Sequence, residues 1–236
     1  MMLSHLRRRG GRRLVFIAGC ARSGTSLLRK LMSCFDDVAA VDRERTVSHF
    51  LDLANEPQQT LIVKRKSKCY RDLPHLPECV DLIYCVRHPY DCLTSFHPAT
   101  AAVQGFHVSE RHWTNEYDSL LRLLDRQPQR TVCFARYEDL VADPDAVQAA
   151  ISSTLTLGVK YRFSANPFGI EINASSVEKW QRDRQLRDTI CGFNVSWRRK
   201  IADFCERFGY QTYGLLGDEA TASQSLSAFR REVRYD

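Results

Sequence analysis

Five consecutive apolar residues, Leu14-Val15-Phe16-Ile17-Ala18, run into Gly19-Cys20-Ala21-Arg22-Ser23-Gly24-Thr25-Ser26 and then into Leu27-Leu28-Arg29-Lys30-Leu31-Met32. A short, unbroken apolar run reads as a strand buried on both faces. Two glycines then bracket a small-residue loop, and the leucines that follow recur at helical spacing. A tight loop between a strand and a helix leaves backbone N–H groups unpaired and pointing one way. The helix dipole adds to the same field, so the stretch selects an anion, most often a phosphate.

Gly19 and Gly24 have the spacing of a Walker A loop, but Thr25 stands where the NTPase pattern demands lysine. Without that lysine the loop lacks a grip on β- and γ-phosphates. Its cation is Arg22, inside the loop. That combination points to a nucleotide with one phosphate-like arm rather than to a triphosphate.

The length of 236 residues suits one α/β domain with a full core. The net charge of +6 invites a nucleic-acid reading, so its location matters. Arg7, Arg8, Arg9, Arg12 and Arg13 fall in the first thirteen residues with no acid among them, and without them 29 basic residues face 28 acidic ones. The basicity is an arm over residues 1–12 rather than a face, and no stacking aromatics accompany it, which argues against nucleic acid as a partner. An anionic acceptor or a peripheral contact with a membrane surface suits such an arm. The main domain is expected over 13–213, with a tail of little pattern over 214–236.

The arm followed by Leu14–Ala18 imitates a secretory signal, but its apolar core is short. Cleavage before Cys20 would also remove the strand and the first glycine of the loop. A cytoplasmic protein is expected, and no stretch approaches the length of a transmembrane helix. The nine cysteines are scattered without a C-x-x-C pair, so neither a disulfide framework nor a zinc site is signalled. Cys20, Cys85 and Cys133 sit in or beside apolar runs as small hydrophobes.

Val38–Val41 is a short apolar segment, and further strands are expected at Thr60–Val63, Asp81–Val86 and Thr131–Ala135. Helices are expected over Thr46–Ala54, over Glu110–Arg126 with Trp113, Tyr117, Leu120, Leu121 and Leu124 as its stripe, and after Asp143-Pro144. Ser175 and Glu178 have capping-box spacing. A long helix from about Arg187 to Phe208 follows, with Ile190, Val195, Trp197, Ile201, Phe204 and Cys205 mostly inward and Gly209 at its end. Tyr161–Asn173 shows no periodicity and reads as loop. Buried strands alternating with helices give an α/β fold, a three-layer α/β/α sandwich around a mostly parallel sheet of the P-loop NTPase kind. Ligands of such sheets bind at the carboxyl ends of the strands, where Arg22, Lys64 and Arg87 all emerge.

With those residues placed, the chain resembles the PAPS-dependent sulfotransferases, whose donor is 3′-phosphoadenosine 5′-phosphosulfate (PAPS) and whose product is adenosine 3′,5′-bisphosphate (PAP). Ala21-Arg22-Ser23-Gly24-Thr25-Ser26-Leu27-Leu28 resembles the family's loop for the 5′-phosphate and sulfuryl group. Arg87-His88-Pro89-Tyr90-Asp91, with Ser95 eight residues after Arg87, is similar to the family's clamp on the 3′-phosphate. Arg136-Tyr137-Glu138-Asp139-Leu140, and Ser175-Ser176 before Lys179-Trp180, are further family-like stretches. The resemblance implies donor contacts from Arg22, Ser23, Gly24, Thr25, Ser26, Arg87, Ser95, Tyr137, Ser175 and Lys179. Tyr137 lines the adenine pocket or serves as a buried structural residue. Asp91 reads as a helix-start or bracing residue.

Sulfuryl transfer needs an in-line acceptor oxygen, a base for its proton and a cation on the departing bridging oxygen. Lys64, ending the second long strand, is the expected leaving-group cation beside Arg22, with Lys66 in reserve, and no metal is then required. The cytosolic small-molecule branch has a histidine base in a Lys-Thr-His pattern. Here that stretch reads Lys64-Arg65-Lys66, and His75 lies too near Arg87 in sequence to replace it. The glycan and protein-tyrosine branches use a glutamate about twenty residues past the loop arginine, where Glu44 falls, just after Asp42. Glu44 is the expected base, with Asp42, His49 and His97 as other candidates. The resemblance thus leans to the glycan, tyrosylprotein and bacterial branches, and the expected acceptor is a carbohydrate hydroxyl. Two other readings stand beside it. A P-loop nucleotide kinase would need the loop lysine that Thr25 replaces. A non-catalytic PAP- or PAPS-binding protein would keep Arg22, Arg87 and Ser95 without needing Glu44 or Lys64.

Overall fold

In the computed structural model, the described residues are 12–51, 57–66, 69–97, 105–193 and 195–212. The basic arm up to residue 11, the tail from 213 and Ala54 lie outside them. Five strands, β1 (Arg13–Gly19), β2 (Val38–Ala40), β3 (Thr60–Lys64), β4 (Val80–Val86) and β5 (Val132–Arg136), form one sheet in the order β2-β3-β1-β4-β5. Every pairing is parallel, with Ile17 beside Lys64 on one side and beside Ile83 on the other.

Parallel strands need crossovers that cover both faces of the sheet. Helix α1 (Thr25–Leu31) follows β1, α2 (Pro89–Leu93) and α3 (Glu110–Arg126) follow β4, and α4 (Tyr137–Ala142) and α5 (Pro144–Leu155) follow β5. Alternate residues of β1 serve the two faces. Val15 and Ile17 join Leu28, Leu31, Ile62, Ile83, Ile151 and Phe163 in one core cluster, while Phe16 meets the ring of Phe50 with centroids 6.4 Å apart. Burial on both sides is why these strands read as continuous apolar runs. Asp143 caps α5 as its Asp-Pro pair foretells, accepting from the Ala146 N–H at 3.0 Å.

The chain divides into two compact units, Met1–Arg87 with Asn115–Ser175 and His88–Thr114 with Ser176–Asp236. The sheet belongs to the first. The second contains α2, the first turn of α3, and three helices: α6 (Lys179–Arg182), α7 (Arg184–Cys191) and α8 (Val195–Arg207). Aromatic rings form its interior: Tyr90 on Trp180 at 5.0 Å, Trp113 on Phe204 at 5.3 Å and Phe193 on Trp197 at 4.3 Å.

Three expectations need correction. The single helix over Arg187–Phe208 is two helices, because Gly192 ends α7 and a glycine inside a helix costs about 1 kcal/mol. Ile190, Trp197, Ile201, Phe204 and Cys205 are buried as expected, but Val195, at the start of α8, is 63% exposed. The end of α8 follows expectation: Gly209 adopts φ +67°, its N–H bonds Glu206, and the Tyr210 N–H reaches Cys205, a Schellman closure. Val47–Leu51 is a 3₁₀ turn rather than the first part of an α-helix, although Val47 and Phe50 are buried. The capping box at Ser175 and Glu178 does not form, since the Ser175 hydroxyl bonds Asn173 Oδ1 and the N-cap residue of α6, Glu178, makes no capping bond with its own side chain. No helix among the described residues is long and apolar enough to cross a membrane.

Candidate active site

The strand order places the chain's reversal at β1, with β3 on one side and β4 on the other. The carboxyl ends of those three strands therefore converge on one crevice, the position where open α/β sheets hold ligands. Gly19 at φ +146° and Gly24 at φ +92° bound the loop after β1. A side chain at Gly19 would stand 2.5 Å from the Cys85 carbonyl oxygen, and one at Gly24 would stand 2.6 Å from the Tyr137 ring. Both positions are thus closed to other residues by conformation and by space. Between them Arg22 holds φ +71°, an uncommon state for a residue with a Cβ and one that functional loops often store.

An anion-binding loop must turn its carbonyl oxygens away from the anion. Here four of them are occupied by named donors. The Gly19 carbonyl accepts from Arg65 Nη2 at 2.8 Å. That of Cys20 accepts from the Ser23 N–H at 3.1 Å and its hydroxyl at 2.7 Å. That of Arg22 accepts from Arg87 Nη1 at 2.9 Å, and that of Gly24 from the Leu28 N–H at 3.0 Å. Arg87, at the end of β4, also lays its guanidinium 4.2 Å from the Tyr137 ring centre. Gly24, Tyr137 and Arg87 thus form one packed wall. Ser23 and Thr25 are buried, and Ser26 is exposed in the first turn of α1.

Beside this loop the structure brings the expected catalytic pair together. Lys64 Nζ donates to Ser26 Oγ at 2.8 Å and to Glu44 Oε1 at 2.5 Å. The cause is local. After β2 the chain pairs once more with the strand beside it, as a parallel bridge of Arg45 with Arg65, in which the Arg45 N–H bonds the Lys64 carbonyl. Glu44 is thereby delivered beside Lys64. The Lys64 side chain is 8% exposed and that of Glu44 42%, so the carboxylate faces outward from a buried ammonium. Asp42 turns elsewhere, pairing with Arg29 at 3.1 Å. Lys66 is exposed and His75 meets Arg126. The ring of His97 lies 4.9 Å from that of His107, and His49 sits in the 3₁₀ turn.

In the second unit, Ser95 and Lys179, expected on separate grounds, are bonded to each other. Lys179 Nζ donates to Ser95 Oγ and to the Thr94 carbonyl, both at 2.8 Å. Asp91 fixes this arrangement as the brace it was read to be: fully buried, its carboxylate accepts the Glu178 N–H at 2.7 Å and the Lys179 N–H at 3.1 Å. Ser175, in the first unit, is exposed with its hydroxyl on Asn173.

A buried ion pair below the loop went unread in the sequence. Arg65 is paired with Glu116 at 2.6 Å, and the Tyr84 hydroxyl donates to the same carboxylate at 3.2 Å. Burial pushes the Glu116 carboxyl up from its ordinary range even as Arg65 draws it down, and burial also raises the Tyr84 hydroxyl. Arg65 reads in sequence as one more member of a solvated basic run. The signal was Glu116, a carboxylate inside the apolar stripe of α3 between Trp113 and Tyr117.

A glycine loop thus follows the central strand of a parallel sheet, beside a lysine that comes from a neighbouring strand and meets a carboxylate. Residues 79–161 match the model of the sulfotransferase family. Among solved structures, the sulfotransferase domain from the curacin biosynthetic pathway aligns with a TM-score of 0.54 at 16% identity, covering 85% of this chain and 98% of that one. Mouse sulfotransferase SULT7A1 complexed with PAP aligns at 0.47 and 17% identity, covering 85% of each chain. Retinol dehydratase in complex with androsterone and inactive cofactor PAP aligns at 0.47 and 14% identity, over 89% of this chain and 82% of that one. No curated protein matches. Residues 79–161 thus carry the sequence pattern of the sulfotransferase family, and the chain shares the fold of the curacin-pathway sulfotransferase domain.

Proposed function

We propose that this protein moves a sulfuryl group from PAPS to a hydroxyl of a carbohydrate acceptor, by in-line transfer and without a metal. The observation that carries the reading is the Lys64 ammonium, bonded at once to Ser26 of the loop and to Glu44. PAPS supplies an activated sulfuryl group on a phosphate leaving group. The loop suits that arm, with its carbonyls drawn off by other donors and Arg22 as its cation. An ammonium has three N–H bonds. Ser26 and Glu44 take two, which leaves one to offer the bridging oxygen as negative charge develops there. Glu44, partly exposed, takes the proton of the acceptor hydroxyl.

The family pattern gives the 3′-phosphate to Arg87 and Ser95 and extends donor contacts to Tyr137, Ser175 and Lys179. A carboxylate base in place of a histidine supports the glycan-type branch and hence a carbohydrate acceptor. A protein that only binds PAP would have no use for a lysine joined to a carboxylate at the loop's edge. The basic arm, outside the described residues, suits an anionic glycan or a membrane surface.

The test is transfer of labelled sulfuryl from PAPS to a panel of oligosaccharides, phenols and tyrosine peptides. Label on an oligosaccharide with wild type, and none with Glu44→Gln, is the expected result. Label confined to phenols or peptides would remove the carbohydrate assignment, and label undiminished in Glu44→Gln would remove the base.

A further inference from the structure

We propose that Arg65, Glu116 and Tyr84 are positioning residues for the phosphate loop: a buried triad that turns the Gly19–Cys20 peptide into its anion-binding orientation. The inference rests on the donor reading above and names what holds that site in shape. In a strand, neighbouring side chains leave by opposite faces. Lys64 therefore goes toward α1 and Ser26, and Arg65 toward α3 and Glu116. Arg65, Glu116 and Tyr84 are each at most 4% exposed. A single nitrogen, Arg65 Nη2, serves the Gly19 carbonyl at 2.8 Å and both Glu116 oxygens at 2.6 Å. Tyr84 steadies the same carboxylate from β4.

A trans peptide is planar, with its C=O and N–H on opposite sides. Holding the Gly19 oxygen on Arg65 therefore turns the Cys20 N–H away from Arg65, out of the sheet's lower layer. The backbone of Arg65 is tied as well: its N–H bonds the Ile17 carbonyl, and it forms the bridge with Arg45 that delivers Glu44. One residue thus links the start of the loop, the lysine before it and the segment carrying the carboxylate.

A stability role explains this arrangement poorly. Removing two charges from water costs about as much as a buried pair returns, and well-packed apolar replacements are often as stable. Arg65 Nε and Nη1 are buried with no partner among the described residues, so the pair is not arranged for maximal hydrogen bonding. What the geometry does secure is the direction of one peptide.

The test compares wild type, Tyr84→Phe, Glu116→Gln and the double apolar variant Arg65→Met/Glu116→Leu. It uses three readouts: the thermal midpoint without ligand, amide hydrogen exchange of a peptide spanning residues 19–24, and PAP affinity by calorimetry. The double variant is expected to keep its midpoint, exchange the loop amides about tenfold faster while β1 stays protected, and bind PAP about tenfold more weakly or worse. Glu116→Gln should fall between it and wild type. Unchanged loop exchange and PAP affinity in folded variants would overturn the proposal. So would a fall in midpoint with exchange accelerating equally along β1, the mark of a merely structural pair. Should the double variant not fold, Tyr84→Phe, which loses only a hydroxyl, decides by the same two readouts. If wild type itself fails to bind PAP, the donor reading falls, and loop exchange alone decides the positioning role.

Discussion

Lys64 Nζ stands 2.5 Å from Glu44 Oε1, although the two residues are 20 apart in the chain and follow different strands. They meet because β2 and β3 are neighbours whose pairing resumes between Arg45 and Arg65. The same lysine also holds the hydroxyl of Ser26 in the glycine loop. The contact with Glu44 joins two separately expected residues into one hydrogen-bonded unit, the one on which the proposed transfer rests.

Glu44→Gln keeps the side chain's size and removes its capacity to take a proton. The expected result is a fall in kcat of about 10²- to 10⁴-fold, with PAP affinity nearly unchanged. Steady-state kinetics and calorimetry separate the two quantities. A variant that loses PAP affinity and keeps kcat would contradict the role of base.

Lys64→Met removes the proposed leaving-group cation and the tie to Ser26. A drop in kcat of about 10²- to 10³-fold is expected, accompanied by weaker donor binding. The carboxylate left behind is 42% exposed, so the loss of stability should stay below about 1 kcal/mol. Urea denaturation checks the second half of this expectation independently of the first.

Gly24→Ala places a methyl group 2.6 Å from the Tyr137 ring at a backbone φ of +92°. Strain and contact together should cost about 1–3 kcal/mol. Adding Tyr137→Ala relieves the contact and leaves the strain, so the double variant should recover part of the loss. Full recovery would mean that the conformation itself carries no cost.

Asp91 is fully buried and takes two backbone N–H groups at the start of α6. Asp91→Ala leaves both without their acceptor and should cost about 3 kcal/mol, while Asp91→Asn, which keeps one oxygen, should cost about half of that. Thermal or denaturant unfolding of the two variants against wild type measures the difference. Equal, negligible losses would show that the brace does not hold.

Burial pushes the Cys133 thiol up to about 11 and also raises that of Cys85. At pH 8 both should stay protonated and resist alkylation, whereas Cys191 is exposed and should be modified first. Mass spectrometry of peptides after brief iodoacetamide treatment reads this directly. Early labelling of Cys133 would show that β5 opens far more readily than its place in the core implies.

The sheet was legible because its strands are buried on both faces: Leu14–Ala18, Thr60–Val63 and Asp81–Val86 could hardly be anything else. The turn after β1 was legible because two glycines between a buried strand and a helical run mark a tight loop, and both adopt positive φ. Helix boundaries were harder. Gly192 divides a stretch whose apolar period runs past it, and period alone does not register a single glycine. The box at Ser175 failed for a tertiary reason, since Asp91 from a distant part of the chain supplies the acceptor that Ser175 seemed placed to provide. Lys64 was legible as a cation at a strand's carboxyl end and Glu44 through a family resemblance, but their contact depends on strand order, which no local pattern encodes. Arg65 was hidden by its neighbours: within Lys64-Arg65-Lys66 nothing local separates the buried arginine from the exposed lysine. Its partner Glu116 showed itself only as a charge out of place on an apolar helix face.

The central claim is a donor site for a nucleotide carrying a 3′-phosphate and one sulfated arm. The thermal midpoint of wild type and Arg87→Ala should be measured with PAP, and separately with ATP and magnesium, since a ligand that binds only the folded state raises the midpoint. A donor site of this kind predicts a rise with PAP for wild type, a much smaller one for Arg87→Ala, and none for either with ATP and magnesium. A rise with ATP and magnesium but not with PAP would contradict it and return the loop to a kinase reading.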